Sequence, residues 1–532
     1  MTMRAKTEIE FREVPFMQKE GNRMILTTTE ESRAIDQEAM AVYGLPEAVL
    51  MENAGAAVVR LSGERLHWYG ASSVVVCGTG NNGGDGFVIA RYAAEAGAEV
   101  TVLVMGNPER MGASARRYRQ VAETMGIPVI ELTSAKDAMP YLGEADIVVD
   151  ALIGTGLAKE VTGEKAALIS LMNDAEAAVV SVDVPSGMDS DTGKAMGAVV
   201  EADLTVALGS IKRGHELYPG SDYVGTLLYA PIGIPDKARE DYPVRLTQAS
   251  DVRARLPLRS RISHKGKNGF IGIFAGSAGM AGAGLLCAQG ALYGGGGKVA
   301  LSSVNDIAWE LAGKVPEVMV HAMGDGPCFS EKMLKTALEE AKSYDVVALG
   351  CGFGRSEETQ RFTEELLCRL HKTVVVDADA LFAIAELPVS LKDAPGELIL
   401  TPHVGEFSRL TGLSAQEIED RRIDAAREYA QKQGVVLVLK GAPTVTALPD
   451  GRAWVNPTGN PGMAAGGMGD TLTGIIAALA GQGMNAGDAA LCGVYLHGLA
   501  GDILAEKTPV GYTASDVAKA VGLARIRVQR GE

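Results

Sequence analysis

Short apolar, β-branched runs alternate with amphipathic stretches from residue 73 to about residue 208, and the runs at 73–77, 100–104, 128–132, 146–150, 178–183 and 204–208 read as strands. That alternation builds βαβ units around a parallel sheet. Runs such as Ile147-Val148-Val149 are apolar at every position, as strands covered on both faces must be. The pattern restarts at 269–275, 298–302, 345–349, 373–377, 397–401 and 435–440, with helical stretches such as 357–370 and 415–433 between the runs. Residues 229–259, which carry Pro231, Pro235, Pro243 and Pro257 among charged side chains, read as a linker. The expected fold class is α/β with two domains, 1–240 and 245–532, since 532 residues is more than one hydrophobic core usually sustains. The halves show no clear sequence repeat.

Composition narrows the classes of partner. Hydrophobic residues make up 47% and charged residues 22%, enough to fill cores and wet a surface. A formal net charge of -16 argues against a general nucleic-acid or anionic-membrane surface, so an anionic ligand must be met by local groups. Six scattered cysteines without a CxxC pair point to reduced thiols, and the seven histidines have no metal-ligand spacing. The first two dozen residues mix Arg, Lys and Glu without an apolar core, unlike a secretory signal, and no apolar run reaches about 18 residues. A cytoplasmic protein is expected.

Two glycine-crowded segments carry the candidate chemistry. Residues 459–474 run from a loop into an apolar helix, where Gly466, Gly467 and Gly469 permit close backbone approach and Asp470 can take a proton from a hydroxyl. A glycine-rich turn capped by Asp470 is the plainer reading of the same residues. Residues 78–86 follow the 73–77 strand and precede a helix-like stretch from Phe87 to Ala96. Ligands of parallel sheets gather at the carboxyl ends of strands, and there the first half places Asn81-Asn82-Gly83-Gly84-Asp85, then Asp150 through Gly156, then Asp183-Val184-Pro185-Ser186-Gly187. Asn and Ser oxygens with a carboxylate suit a group I or II cation, and the glycines suit a pyrophosphate. Asp150 alone reads equally as a helix cap, whereas Asp183 before Pro185-Ser186-Gly187 reads as functional.

NNGGDGF, DALIGTGL and DVPSGMD, in that order and spacing, closely resemble the YjeF N-terminal family of NAD(P)H-hydrate epimerases over about residues 30 to 235. The resemblance implies a Rossmann-like fold that binds hydrated NADH or NADPH and potassium (K+). By position it implies Asn82, Asp150 and Ser186 as potassium ligands and Asp183 as the catalytic carboxylate. Asn81, Asn82, Gly83, Gly84, Asp85, Gly154, Thr155, Gly156, Leu157, Ala158, Lys159 and Glu160 would line the nucleotide.

The second half adds Gly276 through Ala283, Gly350 through Gly354, Asp377 through Leu381, Thr401 through Glu406 and Lys440 through Thr444. His403 alone reads more readily as a structural histidine and Lys440 as a strand terminus; beside the GGMGD loop, Lys440 becomes a phosphate partner. These motifs resemble the YjeF C-terminal family, ADP- or ATP-dependent NAD(P)H-hydrate dehydratases of the ribokinase superfamily, over about residues 245 to 530. The resemblance implies a ribokinase-like α/β/α domain with Ala283, Gly352, His403 and Asp470 on the hydrated dinucleotide. Lys440, Gly441, Ala442, Pro443, Thr444 and Gly469 would hold the adenine nucleotide. Val404 departs from the proline of the family's TPHPGE pattern and leaves the loop of His403 in question.

The expected chemistry is repair. Hydroxide on a hydrated nicotinamide is a poor leaving group, and phosphorylation by ADP or ATP with Mg2+ makes it a good one, with Asp470 as base. Dehydration of the S form would strand the R form, which the first half would return by epimerisation. The competing readings are a small-molecule kinase fused to a nucleotide-binding module, and a first half that is only a scaffold. Family likeness also implies a homo-oligomer.

Overall fold

Seven parallel strands form the first sheet, in the order Val129–Leu132, Glu99–Met105, Ser72–Cys77, Ile147–Ala151, Ala178–Val182, Leu204–Leu208 and Thr226–Ala230. Chain order reverses between Ser72–Cys77 and Ile147–Ala151, which opens a crevice at their carboxyl ends. One face of the sheet, including Val75, Val149 and Val180, packs on Val58 of helix Glu47–Ser62 and Phe87 of helix Asn81–Glu95. The other face, including Val74, Val148 and Val179, packs on Leu168, Ile169 and Met172 of helix Gly163–Asp174. Each such side chain, fully buried, contributes roughly 1.5–3 kcal/mol. The apolar runs thus have the two-sided burial their composition implied.

The computed structural model describes residues 24–387 and 390–531, which divide into two compact units between Tyr242 and Pro243. Residues 1–23, read above for a secretory signal, lie outside the described residues. No helix among the described residues is long and apolar enough to cross a membrane.

The second unit is built on ten strands: Val244–Leu246, Ala453–Asn456, Thr444–Ala447, Val436–Leu439, Leu398–Leu400, Thr373–Val376, Val346–Leu349, Phe270–Phe274, Lys298–Ser303 and Val318–Ala322. All neighbours are parallel except those flanking Thr444–Ala447. Helix Met468–Gly481 packs against Ala281–Tyr293, and glycine permits the approach, since a Cβ on Gly290 would overlap the Thr471 carbonyl and one on Gly474 the Cys287 carbonyl.

Three readings change. Residues 81–86 are not loop: helix Asn81–Glu95 begins at Asn81 after an extended Gly80. Residues 229–259 are not a linker, because they hold the end of Thr226–Ala230, strand Val244–Leu246 and helix Ala249–Arg255. The helical stretch 415–433 breaks at Arg421 into Ala415–Asp420 and Arg422–Gln433.

Candidate functional site

In the first unit the crevice encloses a cavity of about 570 Å³. Asn81, Asn82 and Asp85 reach it from the first turn of their helix, Gly154, Thr155 and Gly156 from the loop after Ile147–Ala151, and Asp183 from the loop after Ala178–Val182. Asp183 sits in the left-handed region (φ 66°), a conformation that costs a non-glycine residue about 1–3 kcal/mol. Its backbone N–H donates to the Val206 carbonyl at 2.9 Å, and its Oδ1 accepts from the Leu208 N–H at 2.9 Å and from Lys212 Nζ at 2.5 Å. Lys212 is buried and spends its other donors on the Leu208 and Ser210 carbonyls (2.8 and 3.1 Å). The ammonium is thereby fixed as the counter-charge of Asp183.

Asp150 is a buried strand residue and not a helix cap. Its carboxylate accepts from Ser186 Oγ at 2.5 Å, Ser186 N–H at 2.8 Å and Ser181 Oγ at 2.9 Å, yet has no cationic partner among the described residues. Burial outweighs these bonds and pushes its carboxyl above the ordinary value. Asn82 lies against Gly154, and both its amide atoms are buried without a hydrogen-bond partner. A buried carboxylate without a counter-cation and a buried amide oxygen without a donor are groups that a weakly hydrated cation satisfies.

Other residues read as nucleotide-lining are placed differently. Gly83 and Gly84 are buried, facing the Gly78 carbonyl and the Met51 side chain instead of the cavity, because helix Asn81–Glu95 packs tightly there. Leu157 packs on the apolar cluster around Leu168, while Ala158, Lys159 and Glu160 are exposed.

In the second unit the strand ends converge on Asp377. Its Oδ1 accepts from Lys440 Nζ at 2.8 Å and its Oδ2 from Thr473 Oγ1 at 2.8 Å. Burial works against its charge, but Lys440 and these bonds hold its carboxyl below the ordinary value. Asp470 is the third residue of helix Met468–Gly481, past the N-cap position expected for a capping aspartate; the cap is Gly467. Burial, followed by the negative charge of Asp377, pushes Asp470 up to about 6. Oxygens of Asp377 and Asp470 and the Cys351 sulfur all lie within 4.8 Å of one another. Gly469 admits Lys440, whose Nζ would lie 3.1 Å from a Cβ there.

Around this centre Gly352 abuts Ala283, with 3.0 Å between the Cβ positions, and His403 pairs in parallel with Lys440. His403 caps helix Val404–Thr411, its Nδ1 accepting from the Glu406 N–H at 3.2 Å, while its ring stays exposed. Val404 takes the first helical position, where proline is also at home, so the departure from TPHPGE preserves the turn. Arg422, fully buried, donates to the carbonyls of Lys440 (2.6 Å) and Pro443 (2.9 Å) and to Glu419 (2.7 Å), which fixes the loop of Gly441, Ala442, Pro443 and Thr444.

Sequence reading assigned nothing to Lys212, Thr473 or Arg422, and named Asp377 only as the start of a candidate loop. Asp377 directly follows an apolar strand, a signal as strong as that at Asp183. Lys212 lies on a strand of two residues, Ile211–Lys212, too short for periodicity to mark.

Two α/β units, each with a cluster of carboxylates at its strand ends, are the frame of a two-site enzyme. The family described as NAD(P)H-hydrate dehydratase matches residues 271–522, and the YjeF-related protein N-terminus matches residues 47–214. The bifunctional NAD(P)H-hydrate repair enzyme Nnr of Thermofilum pendens is 41% identical over 91% of this chain and 93% of its own length. That of Moorella thermoacetica is 42% identical over 90% and 92%. A crystal structure of the ADP/ATP-dependent NAD(P)H-hydrate dehydratase from Bacillus subtilis, co-crystallized with ATP/Mg2+, is 33% identical, covering 53% of this chain and 98% of its own, with a TM-score of 0.47. The chain belongs to the family of bifunctional NAD(P)H-hydrate repair enzymes.

Proposed function

We propose that the protein repairs hydrated NADH and NADPH, with an epimerase in residues 1–240 that interconverts R and S hydrates and a dehydratase in residues 245–532 that consumes the S form. The observation that carries this reading is the presence of a separate carboxylate centre in each unit: Asp183 clamped to Lys212, and Asp470 raised beside Asp377–Lys440.

In the second unit, Asp470 accepts the proton of the substrate hydroxyl as that oxygen takes the terminal phosphoryl group of ADP or ATP. Lys440 and the N–H groups at the start of helix Met468–Gly481 bear on the charge that develops. Lone-pair donation from the ring nitrogen then breaks the C–O bond and expels phosphate, and the resulting iminium loses a proton from the adjacent ring carbon to solvent, which restores the ring double bond of the reduced nicotinamide. Mg2+ prefers six oxygens, and among the described residues this centre offers two carboxylates beside Cys351, whose thiol is held neutral by its hydrogen bond with Cys287 and by burial. The donor set therefore fits an ion carried mainly by phosphate and water, where it would neutralise phosphoryl charge.

In the first unit, Asp183 removes the hydroxyl proton that begins epimerisation. Asn82, Asp150 and Ser186 would hold K+, whose charge would offset the buried Asp150 carboxylate and assist anchoring of the pyrophosphate. The nucleotide-facing set comprises Asn81, Asp85, Gly154, Thr155 and Gly156 in this unit, and Ala283, Gly352, His403, Gly469 and residues 440–444 in the other. A cytoplasmic homo-oligomer fits the reading. The test supplies mixed R and S hydrates with ADP or ATP and follows recovery of reduced nicotinamide. Full conversion of both epimers, faster than spontaneous interconversion, supports both activities; a stable phosphate ester as end product would make the second unit a kinase.

A further inference from the structure

Asp36 lies on helix Thr29–Ala41, outside the span matched by either family, and its carboxylate lines the same cavity as Asp183 and Lys212. Its neighbours Ile35 and Ala39 bury against Ile234 and Ala238, so the helix is anchored by its apolar face and Asp36 is left turned to the cavity. The two carboxylates approach adjacent residues at the end of strand Leu204–Leu208. Asp183 Oδ1 accepts the Leu208 N–H, and Asp36 Oδ1 lies 3.8 Å from where a Cβ of Gly209 would stand. Their surroundings differ: Asp183 is bonded to Lys212, whereas no hydrogen bond from a described residue reaches the Asp36 carboxylate. A half-buried carboxyl group that faces a cavity without a hydrogen bond from the described residues costs stability, and such groups gather where a ligand is acted on.

We propose that Asp36 is the second catalytic residue of the epimerase, the general acid that protonates the ring nitrogen when the hydrated ring opens. The inference rests on the epimerase reading of this site. Asp183 takes the hydroxyl proton, and the O–H electron pair becomes the second bond of a C=O group. The bond from that carbon to the ring nitrogen breaks, its electron pair stays on nitrogen, and nitrogen takes the proton of Asp36. Rotation of the free aldehyde and the reverse transfers close the ring on its other face, with both carboxyl groups restored. No external oxidant or reductant is needed.

One carboxylate is bonded to an ammonium and the other faces the cavity without such a bond, an asymmetry that suits the two to opposite roles as base and acid. Burial, against the charge of Lys212 and with that of Asp183, pushes Asp36 up to about 6. The charged and titratable groups that share its cavity are Arg33 on its own helix, Glu47, Asp85, Lys165, Asp183 and Lys212. The acid form, on the order of one part in ten at pH 7, is lost as pH rises through about 6, so epimerisation should decline on that limb.

The experiment measures R/S interconversion in the full-length protein against pH for wild type, Asp36→Asn, Asp36→Glu and Asp183→Asn, with nucleotide-dependent dehydration of the S hydrate on each preparation. Asp36→Asn should lose on the order of 10² to 10⁴ in epimerisation rate and lack the alkaline limb, Asp36→Glu should recover part of both, and dehydration should stay at the parent rate. Parent-rate epimerisation by Asp36→Asn with the limb intact overturns the proposal, and if Asp183→Asn is then inactive the epimerase reading itself stands. No acceleration by the wild type over the spontaneous reaction overturns both.

Discussion

Lys440, partly exposed, and buried Asp377 form an ion pair, Nζ to Oδ1 2.8 Å, next to the first turn of the helix that carries Asp470. With Asp377 ionised by its partner, the second carboxyl group nearby is the one that bears the cost of burial, and Asp470 is pushed up to about 6. In the proposed reaction the two aspartates divide labour: Asp377 orients Lys440, and Asp470 accepts the proton.

Asp470→Asn keeps the size of the side chain and the glycines around it while removing the base. Dehydration should fall by about 10² to 10⁴, with R/S interconversion without nucleotide unchanged because Asp183 belongs to the other unit. If the variant dehydrates at the parent rate, the phosphoryl-transfer base lies elsewhere.

The pH profile of dehydration follows from the sign of the same shift. Only ionised Asp470 can take the hydroxyl proton, so the rate should fall as pH drops through about 6, well above the ordinary value of 3.8. A dehydration limb near pH 4, in a profile corrected for hydrate breakdown, would show that Asp470 does not set it.

Much of this was legible in the chain. The two-sided apolar runs marked the strands at the sheet centres, the residues at their ends marked Asp183 and Lys440, and the glycine-crowded loop entering an apolar helix marked Asp470. What stayed hidden has physical causes. Val318–Ala322 is a partly exposed edge strand without a continuous apolar run, and Ile211–Lys212 is too short to show a period. Asp36 sits in a helix whose pattern reports only its buried face, and Arg422 shows its function only once the Lys440 and Pro443 carbonyls are seen to meet it. The glycines of 83–86 looked like a phosphate cradle because tight helix packing and ligand approach select the same residue.

That ambiguity is testable by adding one methyl group at two glycines. A Cβ on Gly83 would overlap the Gly78 carbonyl, whereas one on Gly466 meets open space within 4 Å. Gly83→Ala should destabilise the first unit by about 1–3 kcal/mol, and Gly466→Ala should leave the second unit's melting temperature unchanged. Equal melting curves for Gly83→Ala and wild type would mean that its helix can shift freely and that packing does not require the glycine.

Potassium dependence should track Asn82. Epimerisation should be faster in K+ than in a bulky organic cation, and Asn82→Leu, which fills the space without an oxygen, should erase the difference while keeping the fold. Equal rates in both salts for the wild type, after exhaustive potassium removal, would take the ion out of the mechanism.

The last prediction concerns Arg422, which touches the Lys440–Thr444 loop from beneath. Its fork satisfies the carbonyls of Lys440 and Pro443 at once and pairs with Glu419, so the loop's backbone is set by a buried side chain that does not itself reach the cleft's reacting carboxylates. Arg422→Met would leave two carbonyls without donors, each costing about 1–3 kcal/mol, and would lower the melting transition of the second unit. Arg422→Lys restores charge but supplies a point donor in place of a planar fork, so it should recover stability only in part. On the proposal that the loop holds nucleotide, both variants should raise KM for ADP or ATP by more than they lower kcat, provided the assay runs below the variant's melting temperature. An unchanged KM in a folded Arg422→Met protein would show that the loop keeps its shape without the guanidinium, and a loss confined to kcat would place Arg422 in support of Lys440 and the transferring phosphoryl group instead of nucleotide affinity.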